Sequence, residues 1–129
     1  MVRAGPVRFL NPFLFEDKEG DMAVEILIRR RFIEEKASEI APLMVQLRSL
    51  AREKPGYVSS ESLKCIDPAA DNEYLIRSTW QSVADWKKWL NSRERKEIQQ
   101  QIDAITGEET EYRIYEPLVG GIASTYGGP

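Results

Sequence analysis

Glu73 to Ile105, EYLIRSTWQSVADWKKWLNSRERKEIQQQIDAI, reads as a strand, a sharp turn and a two-part helix, and it contains all 3 tryptophans of the chain. Side chains alternate along an extended backbone, so Tyr74, Ile76, Ser78 and Trp80 share one face, with Leu75, Arg77 and Thr79 on the other. Ser82-Val83-Ala84-Asp85 fits a capping box, with aspartate in place of the usual glutamate. The short helix that it starts carries Trp86, Trp89 and Leu90. Asn91-Ser92 interrupts the apolar pattern, and a second helical segment then repeats Ile98, Ile102 and Ile105 at i, i+4 and i+7. Gly107 suits the residue that closes such a helix.

Upstream, Met22 to Phe32 reads as a first strand, with Val24, Ile26, Ile28 and Phe32 on one face and Glu25, Leu27, Arg29 and Arg31 alternating against them. The run Arg29-Arg30-Arg31 has two readings. It offers an anion site, or two of the three are solvated and one packs its stem across the sheet edge. Ser38 to Arg52 has helical spacing at Ile40, Leu43, Met44, Leu47, Leu50 and Ala51, with Ser38 as N-cap and Pro42 in the first turn or bending the helix there. Pro55-Gly56 ends that helix. Tyr57 to Ile66 is a more polar strand, joined to the strand at Glu73 by a loop marked by Asp67-Pro68 and Asp71-Asn72. Thr110 to Glu116 closes the pattern as a fourth strand ended by Pro117.

The order is β-α-β-β-α-β. It predicts an α+β, ferredoxin-like subunit with a four-stranded antiparallel sheet and both helices on one face. The opposite sheet face, with Leu27, Val58, Leu75 and Tyr115, is too apolar to stay wet, and a second subunit packed sheet to sheet would cover it. A homodimer is therefore expected. Residues 22–117 form the domain. Residues 1–21, punctuated by Gly5, Pro6, Pro12 and Gly20 around an apolar cluster at Phe9–Phe15, read as an N-terminal extension, either an arm on the surface or disordered. Residues 118–129 read as a loose, glycine-rich C-terminal tail.

Composition removes several function classes. Among 129 residues the net charge is −3, with both signs interspersed, which argues against a nucleic-acid footprint. No apolar run approaches the ~18 residues of a membrane span. Cys65 is the single cysteine, so no intrachain disulfide forms and a reducing cytoplasm is the expected location. Histidine is absent, which removes the commonest general base and the usual nitrogen ligand of zinc or haem. The acidic pairs Glu34-Glu35 and Glu108-Glu109 sit beside turns and read as solvated surface. No metal site and no cofactor is expected.

Pro55-Gly56-Tyr57, Trp80-x-Ser82, Asp85-Trp86-x-x-Trp89-Leu90-x-Ser92 and the final Tyr112-x-Ile114-Tyr115 together resemble the antibiotic biosynthesis monooxygenase family of the dimeric α+β barrel superfamily. The resemblance implies a dimer with a pocket between sheet and helices in each subunit. It also implies one of several activities: cofactor-free oxygenation of aromatic anthrones to quinones, haem degradation, or isomerisation of a signalling molecule. Trp80 matches the strand-end tryptophan of the quinone-forming and haem-degrading branches. Other positions depart from them. Ile76 stands for the asparagine of the quinone-forming branch, Trp86 for its aromatic hydroxyl, and Gln99 or Gln100 for its arginine. The iron-ligating histidine of the haem-degrading branch falls near Gln99, and its first-strand asparagine near Ile28 or Arg29, so haem is not an expected partner. The isomerase branch also relies on histidine.

The function expected from this resemblance is cofactor-independent monooxygenation of a small aromatic or quinol-type compound. The alternative is a non-catalytic binding or sensing module on the same scaffold. Candidate pocket residues are Trp80, Trp86, Tyr57, Tyr74, Ile28, Arg29, Asn91 and Gln99, with Arg77 ranked low by its strand parity. Trp80 and the two tyrosines each have a second reading, as core aromatics whose polar atom is satisfied nearby.

Overall fold

The computed structural model describes residues 22–118. The extension 1–21, its Phe9–Phe15 cluster and the tail beyond Leu118 lie outside the described residues. The strands are β1 (Val24–Arg31), β2 (Tyr57–Lys64), β3 (Glu73–Trp80) and β4 (Glu111–Tyr115); the helices are α1 (Ala37–Ala51), α2 (Val83–Leu90) and α3 (Arg93–Thr106). The strands form one antiparallel sheet in the order β2-β3-β1-β4. This is the ferredoxin-like arrangement expected from the element order, with β1 and β3 at its centre.

Alternation puts Val24, Ile26, Ile28, Arg30 and Phe32 of β1 and its end on the buried face, beneath the helices. Two clusters fill the space there. One joins Val24, Ile26 and Ile28 to Ala51, Trp80, Trp86 and Trp89; the other joins Phe32 to Ile40, Ile98 and Ile102. Ser82 caps α2: its hydroxyl accepts from the Asp85 amide at 3.1 Å and donates to Asp85 Oδ2 at 3.0 Å, so Asp85 closes on the cap through the hydroxyl and not the backbone amide. Ser92 restarts the chain as α3 by accepting from the Arg95 amide. Gly107 ends α3 in the left-handed conformation, at φ 75°.

Three local expectations are corrected, and a bulge in β2 is added to the pattern. Ser38 is not the cap of α1. A 3₁₀ turn at Glu34–Lys36 leads directly into the helix, so the chain is already helical before Ser38. Pro42 lies inside α1 on its exposed side, where the Ser38 carbonyl that loses its helical donor can meet water. β2 stops at Lys64, and Ile66 turns outward, 88% exposed. A bulge between Tyr57 and Ser59 leaves Val58 without a strict partner and resets the alternation, so that Tyr57 and Ser60 face the helices opposite Trp80 and Ser78.

The outer sheet face is more charged than the pattern suggested. Leu27 and Leu75 are half-buried there, beneath ion pairs of Arg29 with Glu111 and Glu73, Arg31 with Glu111, and Arg77 with Glu61. Hydrogen bonds from Arg29 and Arg31 hold the Glu111 carboxyl below its ordinary range. No helix among the described residues is long and apolar enough to cross a membrane.

Candidate functional site

A cavity of about 80 Å³ opens between the inner face of the sheet and α1, and every strand and helix contributes to its wall. Ile28, Ile76 and Leu47 supply apolar surface, Trp86 and Trp89 one aromatic side, and Tyr112 the facing one. The Trp86 and Tyr112 rings are tilted at 49° with centroids 5.9 Å apart. Ser60, Ser62 and Ser78 add hydroxyls from the sheet.

Two buried arginines set the electrostatics, with the exposed Arg48 at the rim. Arg95, 7% exposed, donates through Nε to the Leu90 carbonyl at 2.7 Å and through Nη1 to the Tyr112 hydroxyl at 2.8 Å. The first bond ties α3 to the end of α2, and the second ties it to β4. Tyr112 thus accepts through its oxygen and keeps its own proton available to a ligand. Arg30, 3% exposed, donates through Nη2 to Gln99 Oε1 at 2.8 Å. Its Nε and Nη1 are buried without a hydrogen-bond partner. Burial pushes the Arg30 guanidinium below its ordinary value; the field of Asp103 opposes this and that of Arg95 adds to it. An arginine nonetheless keeps its proton. Among the described residues no carboxylate forms an ion pair with Arg30 or Arg95. The cavity therefore carries the buried charges of Arg30 and Arg95, the charge of the exposed Arg48 at its rim, and an aromatic wall.

The candidate residues fall in different places. Ile28, Tyr57 and Trp86 line the cavity. Tyr57 directs its hydroxyl to Ser60 Oγ at 2.8 Å. Trp80 lies one layer behind, 0% exposed, edge-on to both Tyr57 and Trp86, with its N–H donating to Ser78 Oγ at 2.9 Å. Tyr74 stacks on Phe32 with centroids 4.0 Å apart and borders a neighbouring hollow. Gln99 stands behind Arg30, and its amide also donates to Asp103 and Thr110.

Two candidates are corrected. Arg29 has the opposite strand parity to Ile28 and lies on the outer face, paired with Glu111. Asn91 is the exposed C-cap of α2, its backbone amide bonded to the Lys87 carbonyl. Arg95 and Tyr112 are not among the candidates, and Arg30 is one only through the anion-site reading of the run Arg29-Arg30-Arg31. Strand parity with Ile28 and Phe32 marks Arg30, and Arg95 stands three residues before Ile98 on the apolar stripe of α3.

A four-stranded antiparallel sheet covered by helices on one face, with an aromatic cavity between the layers, defines a ferredoxin-like α+β fold. The family model for antibiotic biosynthesis monooxygenases matches residues 23–101, and the chain belongs to that family. Among solved structures, a conserved protein from Methanosarcina mazei Go1 is similar at 17% identity and TM-score 0.66, over 78% of this chain and 97% of its own. SnoaB, a cofactor-independent oxygenase from Streptomyces nogalater, is similar at 15% identity and TM-score 0.65, over 78% of this chain and 98% of its own. No curated protein matches the chain significantly.

Proposed function

We propose that the protein is a cofactor-independent monooxygenase of a small aromatic or quinol-type compound. The observation that carries this reading is the Arg95–Tyr112 pair, held by Leu90 against an aromatic cavity. Such chemistry asks for a bound, deprotonated substrate in a site poor in water. The substrate anion supplies the electrons. For a quinol, one oxygen atom of O₂ enters the ring, the other leaves as water with two substrate hydrogens, and a hydroxyquinone remains. No outside reductant is needed. Arg95 orients the Tyr112 hydroxyl, which donates its proton to the oxygen on which charge gathers.

Oxygen consumption with a panel of quinols and hydroxyanthrones tests this. Saturable uptake above autoxidation is expected, and Tyr112→Phe should lower kcat by roughly 10- to 100-fold with little change in KM. Uptake equal to background across the panel would reject the oxygenase. The second reading, a binding module without turnover, is favoured by Ile76, an apolar residue in the cavity wall where the quinone-forming branch carries asparagine. It requires ligand binding with no oxygen uptake.

The same reading includes a homodimer packed sheet to sheet, and a cytoplasmic location compatible with the lone Cys65. Leu27 and Leu75, beside the half-exposed Tyr115, form an outer groove that no described element covers. Light scattering should give twice the mass of the chain, and Leu75→Glu should move it to monomer. A dimeric Leu75→Glu protein would place the interface elsewhere.

A further inference from the structure

The Arg30 charge has no evident structural task. Its single hydrogen bond goes to Gln99 Oε1, a contact that a neutral donor would satisfy. Buried polar atoms are nearly always paired, and a buried charge without a partner opposes folding. Arg30 nevertheless leaves both Nε and Nη1 unpartnered, with a second guanidinium, Arg95, in the same wall. Such an arrangement is stable when an anion completes it.

The room around Arg30 limits that anion. Arg30 lines two adjoining hollows, of about 80 and 170 Å³, and Met44, Ser62 and Ile76 are common to both. A cavity of about 150 Å³ accepts benzene, so the smaller hollow holds only the charged end of a ligand, while the larger one can take a ring. Apolar side chains dominate both walls away from the arginines.

We infer that Arg30 is the anion-recognising residue of this site, and that the ligand is a one-ring aromatic compound bearing a single oxyanion, carboxylate or phenolate, seated across Arg30 between the two hollows. The inference rests on the proposed function for the location of the site and uses nothing of its turnover. Arg30 neutralises the oxyanion, Tyr112 donates to it from the smaller hollow, and the ring extends into the larger one, lined by Met44, Tyr74 and Ile76. The oxyanion recovers the hydrogen bonds that Arg30 lacks.

Calorimetric titration of the full chain with benzoate, benzamide and 4-nitrophenol tests the inference. Benzoate or 4-nitrophenolate should bind about tenfold or more tightly than neutral benzamide, the worth of a charge-assisted hydrogen bond in a buried site. Arg30→Met should abolish that preference while leaving Tm unchanged or raised, because a buried charge has been replaced by an apolar side chain. Arg30→Lys should keep part of the preference. If phenolate is the anion recognised, 4-nitrophenol binding tightens as pH rises through its own titration. If carboxylate is, benzoate binds more tightly and shows no pH dependence across the neutral range. Wild-type protein indifferent to ligand charge would overturn the inference without any variant. So would Arg30→Met that loses Tm but keeps the benzoate preference, since Arg30 would then serve the scaffold. Oxygen uptake with neutral quinols but no anion preference would reject this inference and leave the oxygenase standing. Anion binding that depends on Arg30, without oxygen uptake, would do the reverse.

Discussion

Trp80→Ala is expected to destabilise the domain by about 3–5 kcal/mol, the usual cost of removing a large buried aromatic. Trp80 is fully buried, faces Val24 on β1 and Tyr57 on β2, and supports Trp86 on α2 from below. Truncation opens a void at the point where the two strands and the helix meet, and it leaves the Ser78 hydroxyl without its indole donor. Domains of this size have total stabilities of only about 5–15 kcal/mol, so a fall in Tm on the order of 20 °C is expected. Urea unfolding followed by circular dichroism measures the change. Trp80→Phe keeps most of the ring and loses the N–H, so it should cost about 1–2 kcal/mol. Because Trp80 stands behind the cavity wall, ligand affinity of the folded Trp80→Phe protein should match wild type. A Trp80→Ala variant within about 1 kcal/mol of wild type would contradict the core role.

Trp80 also illustrates what the sequence made legible. Its strand parity, the Ser82 cap and the tryptophan spacing fixed β3 and α2 in relation to each other, since each rests on local geometry. Element order then led to the sheet topology. The site was less legible because its chemistry contradicts local expectation. Arg30 lies on the same face as Ile28 and Phe32, yet in an arginine run it reads as surface, since arginines are almost never fully buried unless paired. Arg95 stands in the sequence RERK, which resembles a solvated helix start, although its spacing from Ile98 places it on the inner stripe. Arg29 entered through family correspondence, against its own parity. The bulge at Val58 has no local signature in YVSSE, and it alone turns Ser60 toward the helices. The outer ion pairs depend on register across β3, β1 and β4, which pattern along a single strand does not specify.

Gly56→Ala should be the most damaging single-methyl change in the described domain. Gly56 has φ 88°, a region that costs a residue with a β-carbon about 1–2 kcal/mol. It also packs against the start of α2: an added Cβ would lie 2.5 Å from both Cβ and Cγ of Asp85, closer than atoms can approach. Gly56 cannot retreat freely, because its carbonyl accepts the Gln81 amide at 2.7 Å. Asp85 must therefore move, and it is the partner of Ser82 in the cap of α2. Loss of that cap costs about another 1 kcal/mol, so roughly 2–3 kcal/mol is expected in all. Gly107→Ala is the control. Gly107 has a similar φ of 75° but open space where the Cβ would stand, so it should show the backbone cost alone. If both variants lose the same stability, the close approach of Gly56 to Asp85 is not a constraint. If Gly56→Ala loses more, the excess measures that contact. Its consequence would then reach the site, since α2 carries Trp86 and Trp89 into the cavity wall and a displaced cap would shift both.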